Sequence, residues 1–426
     1  MEKQVIKDLI VERQQDILKV ELVERPLSLE ATASYVFVGL RRAGKSYLLH
    51  QHIKQLVATG QASIHDVLYV NFEDERIASI QAGELNLFLE CYGELYDGKP
   101  LVFLDEIQNV AGWEKFARRL ADAKYRVFVT GSNAKMLSRE MHTTLGGRFI
   151  AKEVFPFSFR EYLAFHGVAP ARNWQYGSAR TQLVRLFADY FRYGGFAETF
   201  TLKDKRSWLN SLYQKVLLGD VVMRNNIRNE NAVRVLVRKL AESVMQPLSL
   251  ARIKNVLDAA GATAARNTLV DYLQLLSDAY LLFGISNFSG KLSEKETFKK
   301  RYFFDNGLLN NFLFNPEAKL LENMVAISLY RKYGDEVYYY QKNVEVDFFV
   351  PQAQRAVQVA YSIADENTRR REVRALLKLA EAYPPLRLQI VTYDEEATLS
   401  ENGVDIQAIP VWKWLLVEDG YGLEIS

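Results

Sequence analysis

The chain has 426 residues, of which 49% are hydrophobic and 25% are charged, and its formal net charge at pH 7 is +2. This is the composition of an ordinary soluble globular protein, with length for about two to four domains. Because Cys91 is the single cysteine, an internal disulfide framework and a cysteine-based zinc site are excluded. The chain lacks an apolar run near the roughly 18 residues of a membrane span and the apolar core of a signal peptide. We therefore expect a cytoplasmic protein without a membrane partner.

The first segment, residues 1–30, predicts a polar amphipathic helix that leads to Pro26. Segments of this kind often flank the base of a bound nucleotide. A helix that only packs against its neighbours fits the same pattern, so both interpretations stay open.

Residues 39–46, with the sequence GLRRAGKS, fit the phosphate-binding pattern G-x-x-x-x-G-K-[ST]. Residues 35–38 predict a buried strand before this loop, and residues 47–53 have helical apolar spacing after it. In this context, backbone N–H groups at a helix N-terminus wrap the phosphates of a nucleotide. Lys45 would reach the β- and γ-phosphates, and Ser46 would hold Mg²⁺. The predicted nucleotide-binding residues are Gly39, Arg41, Arg42, Ala43, Gly44, Lys45 and Ser46.

Two further predicted strands, residues 66–74 and 100–108, end in acidic residues. The second is a continuous apolar run, typical of a strand buried on both faces of a parallel sheet. Acids at its carboxyl end would lie at the edge where such sheets bind ligands. Asp105 would orient the Mg²⁺ shell as a metal residue, and Glu106 would polarise the attacking water.

A predicted amphipathic helix, residues 113–123, is followed by a fourth strand, residues 126–133, which ends in small polar residues. The alternation of strands and helices predicts a parallel α/β sheet. The order resembles AAA-type P-loop ATPases, in which the strand beside the acidic one ends in a residue that positions the water. That resemblance assigns this role to Asn133, with Ser132 and Thr130 as alternatives.

Arg148 follows two glycines. Its guanidinium could reach the γ-phosphate, in cis or across a subunit contact. A solvated loop arginine is an equal alternative. The sequence also leaves Arg41, Arg42 and Arg192 open for this role. After Arg148 in the sequence, helical patterns in residues 187–200 and 217–224 predict a helical lid.

Residues 233–285 predict a winged helix, with helices at 248–257 and 266–276 and a strand at 280–285. Residues 224–270 contain eight Lys/Arg against three acidic residues. This excess favours contact with the phosphates of duplex DNA. The alternative is a winged helix that serves only as a packing module.

The rest of the chain predicts a mobile basic loop at residues 290–301 and then a third domain. Its predicted strands are residues 302–305, 336–341, 345–350, 356–361 and 388–393. One predicted helix begins at residue 320, and another covers residues 370–381.

These motifs together resemble a prokaryotic family of AAA-type P-loop ATPases whose C-terminal domain is similar to the restriction-endonuclease fold. The matching features span nearly the whole chain and are residues 39–46, 101–108, 130–133, 147–148, 155–162, 193–198, 217–227, 322, 345–348 and 358–362. The resemblance implies ATP and Mg²⁺ as ligands. The predicted domains are an ATPase domain at 1–160, a helical lid at 161–232, a winged helix at 233–290 and the nuclease-like domain at 291–426.

Nuclease chemistry in that fold needs a helix Glu, an Asp that ends a strand, and acid-x-Lys on the next strand. Glu322 and Asp347 match the first two positions, but Gln358 replaces the second acid and Ala360 replaces the lysine. Gln is a poor ligand for a hard cation, and Ala cannot stabilise developing charge. We therefore expect no nuclease activity, although a metal or polar cleft around Glu322, Glu345 and Asp347 remains open.

Three hypotheses follow for the whole chain. The first is an ATPase whose hydrolysis switches the arrangement of the attached domains. The second is a DNA-binding or DNA-processing ATPase, and the third is a signalling or defence nucleotide switch that acts through a protein partner. Oligomerisation is compatible with all three.

Overall fold

The computed structural model describes residues 2–133, 145–170 and 174–420. The chain forms two compact units. The first unit contains Met1–Phe155 and Asp278–Tyr280, and the second contains Pro156–Ser277 and Leu281–Ser426. The boundary after Phe155 lies close to the predicted one at residue 160. The three later predicted domains lie within the second unit.

The first unit alternates strands with helices from its N-terminus. Its helices are α1 (Lys3–Lys19), α2 (Lys45–Ala58), α3 (Asn86–Leu95) and α4 (Trp113–Asp122). Its strands are β1 (Ser34–Val38), β2 (Val67–Asn71), β3 (Leu101–Asp105), β4 (Val127–Gly131) and β5 (Phe149–Glu153).

The five strands form one sheet in the order β2-β3-β4-β1-β5, and every neighbouring pair is parallel. The inner strands are almost wholly buried, as their continuous apolar runs predicted. In the core, the rings of Phe103 and Phe128 stack across β3 and β4 at a centroid distance of 4.6 Å. Because all strands run the same way, the segments after β1, β3 and β4 meet at one edge of the sheet.

The edge strand β5 was absent from the sequence prediction. Its side chains are mostly exposed, so it lacks the apolar run that marked the inner strands. In its register with β1, Ser34 pairs with Phe149 and Val38 with Glu153.

The second unit begins with helices and continues into a mixed sheet. Its first helices are α5 (Phe159–Phe165), α6 (Gly177–Tyr193) and α7 (Lys205–Gln214), followed by a π-helix (Lys215–Met223), α8 (Glu230–Glu242), α9 (Leu250–Ala259) and α10 (Arg266–Asp278). The later helices are α11 (Leu292–Thr297), α12 (Asn306–Asn310), α13 (Glu317–Tyr333), α14 (Glu366–Ala382) and α15 (Val411–Glu418).

The strands of this unit form an eight-stranded sheet in the order β12-β13-β11-β10-β9-β8-β6-β7. They are β6 (Leu282–Asn287), β7 (Lys300–Phe303), β8 (Tyr338–Gln341), β9 (Glu345–Val350), β10 (Arg355–Val359), β11 (Arg387–Thr392), β12 (Ala397–Glu401) and β13 (Val404–Pro410). Apolar side chains of α14, such as Leu376 and Leu379, pack with the sheet residues Phe349 and Ile390 in its core.

One prediction for this unit differs from the structure, and strand pairing crosses one predicted domain boundary. Residues 290–301, predicted as a loop, contain α11 and the start of β7. The predicted boundary at residue 290 falls inside the antiparallel hairpin of β6 and β7, and β6 also pairs with β8. Strand pairing therefore continues across the boundary predicted between the winged helix and the C-terminal domain, and the division into these domains stays a prediction. Among the described residues, the structure has no helix long and apolar enough to cross a membrane.

Candidate nucleotide site

The loop between β1 and α2 depends on two glycines. Gly44, the residue before α2, has a φ of 92°, a conformation that favours glycine. At Gly39, a Cβ atom would lie 2.1 Å from the carbonyl oxygen of Val154, so a side chain does not fit. The loop therefore brings backbone N–H groups to the N-terminus of α2, where the helix dipole favours an anion.

The side chain of Lys45 lies inside this loop and is almost fully buried. Its ammonium donates hydrogen bonds to the carbonyl oxygens of Gly39 and Leu40, both at 3.1 Å. A carboxylate oxygen of Glu106 lies 3.5 Å from the ammonium. The positive charge is thus fixed at the position where the loop would receive phosphate.

Asp105, the last residue of β3, is completely buried at the same edge of the sheet. Its carboxylate accepts a hydrogen bond from the Tyr69 hydroxyl at 2.6 Å and another from the Thr130 hydroxyl. Burial raises the pKa of Asp105, and hydrogen bonds from Thr130, Tyr69 and Ser46 act against that rise. A buried carboxylate beside a serine hydroxyl supplies the oxygen ligands that Mg²⁺ prefers.

Glu106 follows Asp105 with a φ of 52°, which is unusual for a residue with a side chain. Its backbone N–H donates to the Thr130 hydroxyl at 2.8 Å, and its carboxylate accepts a hydrogen bond from the Gln108 amide. Although burial alone would raise the pKa of Glu106, the charge of Lys45 contributes to holding it below its usual value. Glu106 is therefore an ionised carboxylate at neutral pH.

The predicted polar end of β4 reaches this site. Thr130 accepts from the Glu106 backbone and donates to Asp105, so one hydroxyl links both acids. Ser132 lies 3.4 Å from the Gln108 amide nitrogen. Asn133 lies two residues beyond the end of β4, and its role near the water stays a prediction.

The candidate arginines lie in different places. Arg41 donates to Glu73 at 2.8 Å, and its charge also lowers the pKa of Glu106. Arg42 is exposed in the loop with a φ of 62°. Arg192 belongs to the second unit.

Arg148 lies at the opposite edge of the sheet from the phosphate loop. It directly precedes β5, whose first residue pairs with Ser34 at the start of β1, and it forms an ion pair with Asp122. The length of β1 therefore separates Arg148 from the loop, a distance of roughly 16 Å at about 3.3 Å per residue. The role of Arg148 at the γ-phosphate stays a prediction, and in this structure the sheet places Arg148 and the phosphate loop at opposite edges.

Sequence reasoning missed three residues that shape the site. Arg25 donates to the carbonyl oxygen of Ala43 at 2.9 Å and so supports the phosphate loop from the N-terminal segment. Tyr69 and Gln108 each hold one of the two acids. No motif marks Arg25 or Tyr69, whereas Gln108 could have been suspected from its position two residues after Glu106.

A cleft of about 440 Å³ opens beside Ser46. It is lined in part by Arg13 and Lys19 of α1, His50 of α2, and Tyr69 and Asn71 of β2. Burial lowers the pKa of His50 to about 4, so this imidazole is neutral at pH 7. The N-terminal helix therefore packs next to the candidate Mg²⁺ position.

Comparison with known families agrees with this geometry. Residues 32–163 match a family described as an AAA domain. Residues 184–319 and 317–414 match two domains of unknown function, DUF8612 and DUF4143.

A relative covers nearly the whole chain. The uncharacterized protein MJ1544 of Methanocaldococcus jannaschii is 31% identical over 432 residues, which cover 97% of this chain and 96% of the relative. The chain belongs to the MJ1544 family. The AAA-domain match over residues 32–163 supports an AAA-type P-loop ATPase. An uncharacterized protein of Haemophilus influenzae is 29% identical, over 89% of this chain and 94% of its own length.

Among solved structures, the Walker-type ATPase PABY2304 of Pyrococcus abyssi has 16% identity and a TM-score of 0.37, over 71% of this chain and 95% of its own. The AMPPCP-bound DnaA of Aquifex aeolicus has 15% identity and a TM-score of 0.26, over 63% and 86% of the two chains. With TM-scores this low, neither likeness describes the arrangement of the whole AAA-type chain.

The double hydrogen bond of Thr130 leads to a stability prediction. The substitution Thr130→Val keeps the side-chain shape but leaves the buried Glu106 N–H without its acceptor. We expect it to lower the free energy of unfolding by about 1–3 kcal/mol. The measurement is urea unfolding of the nucleotide-free protein.

The control for this prediction is Thr130→Ser, which keeps the hydroxyl and loses one methyl group, at a cost of about 1 kcal/mol or less. If Thr130→Val is as stable as the wild type, the hydroxyl does not hold the two acids as the structure indicates.

Proposed function

We propose that the protein hydrolyses ATP with Mg²⁺ and uses the reaction to switch the arrangement of its second unit. One observation carries the ATPase part of this proposal: Lys45, Asp105 and Glu106 meet at one edge of a parallel sheet. Phosphoryl transfer to water needs charge neutralisation, metal coordination and activation of the water. The side chains of Lys45, Asp105 and Glu106 suit these three tasks respectively.

The residues present fit a Mg²⁺ ion. Asp105 is a fully buried carboxylate whose pKa burial raises, so a cation would stabilise its ionised form. Ser46 supplies a hydroxyl oxygen next to it. Bound there, Mg²⁺ would supply neutralisation of charge on the β- and γ-phosphate oxygens.

The protein groups then have separate tasks. The N–H groups of the phosphate loop and the Lys45 ammonium bind and orient the phosphates. Lys45 is held by two carbonyls and a carboxylate at 3.5 Å, and a phosphate offers its ammonium stronger acceptors. Glu106, released from Lys45, would then orient the attacking water and take its proton, with Asn133 as a further proposed contact to that water.

The switching part of the proposal concerns the second unit. We place a helical lid, a winged helix and a restriction-endonuclease-like C-terminal domain in it, and we propose that the last of these has no nuclease activity. A protein partner, an oligomeric state and a cytoplasmic location are part of the same proposal.

The ATPase proposal predicts different effects for its two charged residues. Lys45→Ala removes the charge that binds phosphate, so we expect ATP binding to be lost. Glu106→Gln keeps the shape but cannot accept a proton, so we expect ATP to bind while turnover falls by about 10²-fold or more. Binding is measured by calorimetry with ATP and Mg²⁺, and turnover by phosphate release.

The matched control is Glu75→Gln, which removes an exposed carboxylate of the same unit that lies outside the site. It should bind and hydrolyse ATP as the wild type does. A wild-type protein that binds no ATP would refute the proposal, and a Glu106→Gln protein with normal turnover would remove Glu106 from its role.

For Arg148, we propose action across a subunit contact, and its position before β5 supports this alternative. Its guanidinium would then serve the γ-phosphate of a neighbouring copy. We expect Arg148→Ala to lower turnover by about 10³-fold, the usual effect of such an arginine. Arg118→Ala is the control, because Arg118 pairs with the same Asp122.

Mixing two inactive variants separates action in trans from a folding effect. Lys45→Ala has a defective phosphate loop and an intact Arg148, whereas Arg148→Ala has the reverse. If Arg148 acts across subunits, the mixture recovers activity that neither protein has alone. Absence of recovery in a mixture shown to co-assemble would contradict the proposal.

DNA binding is a second candidate function, and the order of elements in residues 230–303 favours it. Three helices, α8, α9 and α10, are followed by the β6–β7 hairpin, and an isolated bridge joins Leu248 to Lys299. A winged helix has its elements in the same order, which supports the proposal. The exposed face of α10 carries Arg266, Asn267 and Gln274, which are chemically suited to phosphate or base contacts.

If α10 contacts duplex DNA, affinity must fall as salt rises. We expect Arg266→Ala to weaken binding and to reduce the slope of log affinity against log salt by about 1. The measurement is fluorescence anisotropy with a labelled duplex between about 50 and 200 mM salt.

Arg374→Ala, which removes an exposed arginine of α14, is the control and should leave the slope unchanged. A wild-type slope near zero would exclude phosphate contacts. That result would favour the third candidate, a nucleotide switch that acts through protein contacts.

A further inference from the structure

A fully buried lysine lies among three carboxylates in the second unit. The Nζ atom of Lys300, on β7, lies 3.0 Å from Glu345, 3.1 Å from Asp347 and 3.6 Å from Glu322. Glu345 and Asp347 are two residues apart on β9 and therefore point to the same face of the sheet. Glu322 comes from α13. Three segments far apart in sequence thus place their charges at one point, which we call the Lys300 centre.

Burial and charge within the centre shift the pKa of Lys300 and the pKa of Glu322. Burial alone would lower the pKa of Lys300, but the three carboxylates raise it above its usual value. The Tyr302 hydroxyl donates to Glu322 at 2.7 Å, and burial raises the pKa of Glu322 to about 7. The second carboxylate oxygen of Glu322 has no hydrogen-bond partner among the described residues. With three carboxylates within 3.6 Å of its Nζ atom, Lys300 is the cation of the centre, and one carboxylate oxygen of Glu322 remains without a hydrogen bond.

Gln358, which stands where a second metal-binding acid was expected, has a different task. Its side-chain oxygen accepts from the Asp347 backbone N–H at 2.7 Å. Its side-chain nitrogen donates to Glu372 at 2.6 Å and to the Glu345 carbonyl at 3.2 Å. Gln358 thus connects β9, β10 and α14, and its oxygen is already used inside the protein.

The lysine occupies the position at which the carboxylates converge. A hard divalent cation needs carboxylate oxygens at about 2.0–2.6 Å, without another cation between them. The three carboxylates of the Lys300 centre are instead paired with an ammonium that belongs to the chain.

We propose that Lys300 is a built-in cation that takes the place of a divalent metal ion, so that the centre needs no metal and removal of the ammonium creates a site for one. The class of ligand expected after removal is a hard divalent cation such as Mn²⁺ or Mg²⁺, bound by Glu322, Glu345 and Asp347. This inference is independent of the proposed ATP hydrolysis, because it concerns residues of the second unit alone.

The test counts Mn²⁺ ions bound to nucleotide-free protein, from the loss of the free-ion signal in electron paramagnetic resonance. We expect Lys300→Ala to bind one Mn²⁺ more per chain than the wild type. The extra ion should disappear in the double variant Lys300→Ala/Asp347→Asn. The melting temperature of Lys300→Ala should rise with added Mn²⁺ by more than that of the wild type, whose candidate Mg²⁺ position in the first unit is unchanged in the variant.

Two controls address charge and space separately. Lys413→Ala removes another buried lysine, which is paired with Glu396, and should bind no extra ion. Lys300→Met removes the charge but keeps a long side chain in the centre, so it should gain no ion either.

A Lys300→Ala protein that folds and gains no ion would overturn the proposal. If that variant does not fold, the wild type and Asp347→Asn decide it. Equal Mn²⁺ counts for these two proteins support a centre without metal, and an ion bound by the wild type but lost in Asp347→Asn contradicts it.

Discussion

The candidate site depends on one constraint, the parallel direction of all five strands in the first unit. The strands β1, β3 and β4 end at the same edge. The phosphate loop, the two acids and Thr130 are therefore brought together although they come from separate segments of the sequence. The Thr130 hydroxyl then fixes the position of Asp105 relative to Glu106, because it forms hydrogen bonds with the Asp105 carboxylate and with the Glu106 backbone. The same constraint places Arg148 at the far edge, because it precedes a strand instead of following one.

The sequence could predict what is local or periodic. The buried strands β1 to β4 are recognisable because each is a continuous apolar run, and the phosphate loop because its residues are adjacent. The strand β5 was missed because an edge strand with exposed side chains has neither signal. Arg25 and Tyr69 could not be found either, because their contacts with the site depend on how distant segments pack.

The Lys300 centre shows the same limit more strongly. The motif comparison expected a lysine two residues after Gln358 and found Ala360 there. In the folded chain, a lysine from β7, almost sixty residues earlier, lies next to the expected acids. A spacing motif can identify a site only when its residues come from neighbouring segments. Here the positive charge is that of Lys300, which comes from a segment predicted to be a loop.

Lys45 and Lys300 differ in how their charges are balanced, and this difference matches the roles proposed for them. Lys45 has a single carboxylate at 3.5 Å and two neutral carbonyls, so an incoming phosphate can replace weak partners with strong ones. Lys300 has three carboxylates within 3.6 Å, and a ligand that displaced it would leave the fully buried Glu322 without its cation. A lysine that must exchange partners during a reaction cannot be paired as fully as Lys300 is. The same residue type therefore forms a candidate phosphate site in the first unit and a more fully paired ionic centre in the second.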